Sequence, residues 1–224
     1  MSAFTTSRLK LPAFAAVAVL SVALSGCVTL LPKTQPVQLY RFAYTPDVID
    51  KQALPDLTAQ AAPIAVGIGA VEFPQDASGD RIVTMEGNEV AYAAGSRWAA
   101  PAEALFNEEI GDGFARSASS VRLEPRGIGN ADYRLDVVVR RFEADYSHNK
   151  PTVTVDLDAR VTRVADHMVV GERYITADIG VGRSDMSMMV DAYDKATTQA
   201  IAGLIGFTQD SIANAPPVAV TPAP

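Results

Sequence analysis

In two stretches of the second half of the chain, apolar residues fall at every second position. In "TVTVDLDARV", Val153, Val155, Leu157, Ala159 and Val161 face one way, and Thr154, Asp156, Asp158, Arg160 and Thr162 the other. Such alternation predicts a strand with one face in a core and one in water. "DYRLDVVVRRFEADY" does the same with Tyr133, Leu135, Val137 and Val139, and a turn at Asp166 and His167 leads into a further expected strand, Met168 to Ile179. The first half carries weaker versions. Ile64, Val66, Ile68 and Ala70 alternate until Pro74, and "DRIVTMEGNEVAYA" predicts a hairpin about Glu86, Gly87 and Asn88.

Elsewhere the spacing lengthens to three and four. Pro101 suits the start of a helix, and Ala102, Leu105, Phe106, Ile110 and Phe114 form an apolar stripe weakened by Gly111 and Gly113. A longer stripe runs from Asp185 to Phe207 through Met189, Ala192, Tyr193, Ala196, Ala200, Ile201 and Leu204. The expected fold is α+β: a two-layer domain with a largely antiparallel or mixed sheet and two amphipathic helices on one face.

The N-terminus has a different pattern. Arg8 and Lys10 precede an apolar run from Leu11 to Leu24, the signature of a secretory signal peptide. A membrane-spanning helix needs roughly 20 apolar residues, and this run is shorter. It ends in Leu24, Ser25, Gly26 and Cys27, which resembles the lipobox of bacterial lipoproteins. That resemblance implies that Cys27, the single cysteine, is acylated and becomes the first residue of the mature chain. Two or three acyl chains would hold the protein durably on a membrane. Val28 stands where aspartate marks retention at the inner membrane in many enterobacterial lipoproteins, so the outer membrane is favoured, with the domain facing the periplasm. The expected organisation is a cleaved signal peptide at 1–26, a lipidated linker at 27–36, a domain at 37–210 and an unfolded Ala/Pro-rich tail at 211–224.

Charge and chemistry narrow the function classes. The chain carries 19 basic and 26 acidic residues; residues 1–26 hold two of the former and none of the latter, leaving 17 against 26, or −9. Nucleic-acid binding is excluded as an expectation, since such domains present a basic patch. With Cys27 acylated no thiol remains for a disulfide, a metal or a nucleophile. His148 and His167 read as solvated turn residues. Asp156 and Asp158 share a strand face that reads as wet, and Glu108, Glu109 and the acids of the long helix read as helix surface. No catalytic, metal-binding or cofactor-binding residues are expected, and the chain reads as non-enzymatic.

Trp98 sits between a strand and a helix, where a large ring plugs a layer edge. A partner or lipid contact there, shared with Arg97 and Pro101, is the competing expectation. The segment Arg97, Trp98, Ala99, Pro101 has its own resemblance. Together with "VQLYRF", the strand ending at Pro74, Asp80 to Val83, and Tyr133 to Leu135 leading to Phe142 and Glu143, it resembles the ABC-type transport auxiliary lipoproteins, from about Val37 to Leu204. The "QDASGDR" stretch after Pro74 is longer and more polar than is usual there. The resemblance implies an accessory that works with MCE-domain proteins and ABC or permease components in phospholipid transport. Phospholipid binding and homo-oligomerisation are open expectations, and an assembly or scaffold lipoprotein for an outer-membrane protein is the alternative.

Overall fold

The computed structural model describes residues 36–45, 63–118, 120–124, 130–148, 150–182 and 185–218. The signal peptide, the lipobox with Cys27 and Val28, and the end of the tail lie outside the described residues. In chain order the elements are β1 (Gln38–Tyr40), β2 (Ile64–Glu72), β3 (Arg81–Glu86), β4 (Glu89–Trp98), α1 (Ala102–Ser117), β5 (Val121–Glu124), β6 (Tyr133–Asp145), β7 (Thr152–Arg163), β8 (Val169–Gly180) and α2 (Met186–Ala213).

The alternating stretches of the second half form an antiparallel meander, β6 against β7 and β7 against β8. The other edge of β6 is shared. β2 runs parallel to its first half, with Val66 to Glu72 against Tyr133 to Val138, and β3 runs parallel to its end at Ala144 and Asp145. β5 extends β2, and β4 followed by β1 extends β3. The result is an eight-stranded mixed sheet in an α+β fold.

Both helices pack on the apolar face. Every member of the expected α2 stripe is buried, and large side chains so placed contribute about 1.5–3 kcal/mol each. Gly113 does not break α1. It faces α2, and a Cβ added there would lie 2.6 Å from Cγ2 of Ile201, so the missing side chain is what lets the helices approach. At the hairpin, Gly87 has φ +60, the left-handed geometry that a two-residue turn requires. Past residue 210, α2 continues to Ala213, where Ser211 and Ile212 are still buried. The apolar pattern thus outlasts the expected boundary.

The outer face of the sheet is wet at Asp158 and Arg160, as expected, but not over the first half of β7. Asp156 is only 2% exposed and Thr154 3%. Strand β7 lies between β6 and β8, so each outward side chain has neighbours on both sides: Asp156 accepts from the Thr176 hydroxyl and lies 3.7 Å from Arg141, while Thr154 donates to Asp178 at 2.6 Å. The alternation identifies the face, but the cross-strand neighbours determine whether water reaches it.

Candidate functional site

The segment singled out by sequence forms the corner where β4 leaves the sheet for α1. Its backbone is held at each step. Trp98 N–H donates to the Asp80 carbonyl and Ala99 N–H to the Tyr40 carbonyl, both at 2.7 Å. The first free amides of α1, on Ala102 and Glu103, donate to the carbonyls of Gly79 and Ser78 at 2.9 and 3.3 Å. The polar loop after Pro74 therefore does the capping work that Pro101, with no side-chain cap, cannot.

The side chains divide by direction. Trp98 is 2% exposed. Its ring meets Phe42 and Tyr193 edge-on, both at 5.0 Å, and Phe142 at 6.2 Å. Phe73 and Phe106 extend the cluster through Phe142. Burial pushes the Tyr193 phenol well up, and its hydroxyl donates to the Val83 carbonyl at 3.3 Å. Arg97 and Pro101 point outward. Arg97 donates to both carboxylate oxygens of Asp80 at 3.0 Å, a surface pair that contributes about 0–1 kcal/mol. Beside Arg97 in register is Leu39 of β1, 65% exposed, with Val37 also exposed. The corner thus presents a cation and apolar side chains on a rigid base.

That base includes a strap that sequence reading missed. Residues Arg41 to Thr45 cross both helices, and three successive amides are received by side chains. Ala43 N–H donates to Asp194 at 3.0 Å, Tyr44 N–H to Glu109 at 2.7 Å and Thr45 N–H to the Thr198 hydroxyl at 3.1 Å. Arg116 closes over the Tyr44 carbonyl at 3.2 Å. Glu109, expected on the helix surface, is buried, and Asp194 is half-buried. Burial, with Asp191 and Glu109 nearby, pushes the Asp194 carboxyl above its ordinary range against the opposing pull of the Ala43 amide. Nothing local in the sequence marks these acids, because their partner is a backbone segment some 65 to 151 residues away.

The other candidates stand apart from this corner. His148 and His167 are exposed, and His167 has φ 57. Asp156 and Asp158 belong to the opposite face of the sheet. There, the hydrogen bond to Asp156 is the first cause holding the Tyr174 phenol at about 12. Among the described residues no group of three or more His, Cys, Asp or Glu is placed to hold a metal ion, and no helix is long and apolar enough to cross a membrane.

Residues 48–203 match the model of the family described as ABC-type transport auxiliary lipoprotein component. The chain belongs to that family. Comparison with curated proteins finds no match. Among solved structures, protein XCC0632 from Xanthomonas campestris is similar at 21% identity and a TM-score of 0.64, over 80% of this chain and 95% of that one. An uncharacterized protein is similar at 12% identity and a TM-score of 0.61, over 79% and 99%. At these identities the likeness establishes the shared fold. Family membership makes the chain a transport auxiliary lipoprotein associated with an envelope membrane.

Proposed function

We propose that this auxiliary lipoprotein is a non-enzymatic docking component of an MCE-type phospholipid transport system, attached through acylated Cys27 to the outer membrane and facing the periplasm. The observation that carries the reading is the corner at Arg97. An exposed guanidinium and the exposed Leu39 and Val37 stand on a base locked by Trp98, Phe42 and Tyr193. Arginine is enriched at protein interfaces, and Leu39 and Val37 add apolar surface beside it. A lipid anchor raises the domain's effective concentration at a partner in the same envelope. Trp98 acts through what it holds in place, because its own ring is covered.

The test is in-cell photocrosslinking from a photoreactive residue at position 97 or 101. Capture of an MCE-domain protein is the expected result. Crosslinks confined to an outer-membrane protein or surface appendage, with loss of that client on deletion and lipid asymmetry unchanged, would replace this reading with an assembly role.

A further inference from the structure

We propose that the turn end of the β3–β4 hairpin is a second docking site, for an extended apolar segment of a partner protein that carries lysine or arginine beside its apolar residues. This rests on the reading of the chain as a docking component and adds the surface and the chemistry of what docks.

Three features coincide there. First, β1 pairs with β4 only at Ser96 to Trp98. Among the described residues the rest of β4's outer edge has no neighbour strand, and its residues from Val90 to Gly95 carry no charge and no proline. Exposed edges of this kind invite strand addition and are normally blunted by charge or proline. Second, a cleft of about 390 Å³ opens beside this arm, floored by Met85, Ala91, Tyr146 and Met186. Val90, which alternates onto the opposite face of the arm, is 45% exposed, so an added strand would meet apolar side chains on both faces. Third, Glu86 and Glu89 close one end of the cleft and face each other as cross-strand partners. Like charges directly opposite are destabilising, and neither has a cation or a hydrogen-bond donor among the described residues. An occupant that brings a cation to this end and apolar side chains to the floor would relieve all three at once.

The site is preformed. Gly87 N–H donates to the Ser147 hydroxyl and Tyr146 N–H to the Met85 carbonyl, both at 2.7 Å, tying the hairpin tip to the β6–β7 turn. Binding therefore requires no rearrangement of the arm.

The experiment uses the full chain in detergent micelles and two labelled synthetic heptapeptides of alternating valine and threonine, one ended by lysines and the other by glutamates. Fluorescence anisotropy is read against empty micelles. The lysine-ended peptide should bind saturably and about tenfold more tightly than the glutamate-ended one, the difference that two exposed ion pairs support. The preference should shrink with added salt and vanish in the E86Q/E89Q variant, which keeps shape and hydrogen-bonding groups. Ala91→Glu should weaken both peptides while the circular dichroism spectrum is unchanged. Equal binding of the two peptides would overturn the proposal, as would no saturable binding up to about 1 mM. Self-association of the chain abolished by Ala91→Glu would overturn the choice of occupant in favour of a second copy. Crosslinking from position 97 is independent of this arm, so failure here with success there removes only this site.

Discussion

Two glycines half a turn apart in α1 should respond differently to alanine. At Gly111, exposed, an added Cβ meets nothing within 4 Å. The substitution there gains only helix propensity, about 0.8–1 kcal/mol. At Gly113 the same gain meets a clash, since the Cβ would sit 2.6 Å from Cγ2 of Ile201, 3.5 Å from Cδ1 of Ile205 and 3.7 Å from Cδ1 of Tyr44. Ile201 is fully buried, and a β-branched side chain in a helix has essentially one χ1 rotamer, so it cannot swing aside. Overpacking of this kind costs about 1–3 kcal/mol, which leaves Gly113→Ala between neutral and about 2 kcal/mol destabilising. For a domain of this size roughly 2–4 °C accompany each kcal/mol. Thermal unfolding followed by circular dichroism should therefore show Gly111→Ala melting a few degrees higher and Gly113→Ala level or lower. Ile201→Ala is destabilising by itself, but in that background Gly113→Ala should become stabilising, a coupling of about 1 kcal/mol or more. Equal stabilisation at both glycines in the native background would refute the claim that Gly113 sets the distance between the helices.

Trp98→Ala should cost about 3–5 kcal/mol, a fall in melting temperature of roughly 6–20 °C, whereas Arg97→Ala should cost no more than about 1 kcal/mol while reducing partner crosslinking. If Trp98→Ala melts like the native protein, the aromatic cluster is not what holds the corner. Asp194 is raised above its ordinary value of 3.8 chiefly by burial, so its contribution is present in acid and lost as pH rises through the folded-state value. Asp194→Asn keeps an oxygen to receive the Ala43 amide and should remove that loss, giving equal or greater stability at neutral pH in urea titrations. A clear destabilisation there would show that the charge itself is needed. Cys27→Ala should abolish labelling by an alkynyl fatty acid and leave the chain unprocessed on gels; retained labelling would place the acyl group elsewhere.

The two periods of the chain were enough to read the strands of the meander, the hairpin at Gly87 and both helices, since the period of each element is set by neighbours within a few residues of one another. The family was legible in the same way, through short motifs in order. The parallel pairings were not. That β2 and β3 share one edge of β6 depends on a crossover through α1 and β5, and alternation is the same whichever strand lies alongside. The acids show the limit most plainly. Glu109, Asp156 and Asp194 read as surface because their own segments have a polar face, yet the strap and the cross-strand side chains that cover them come from elsewhere in the chain. Local periodicity by itself determined which side of each element is apolar. Only the tertiary structure decided which polar groups would lose their water, because desolvation depends on what packs above a residue and not on its neighbours in sequence.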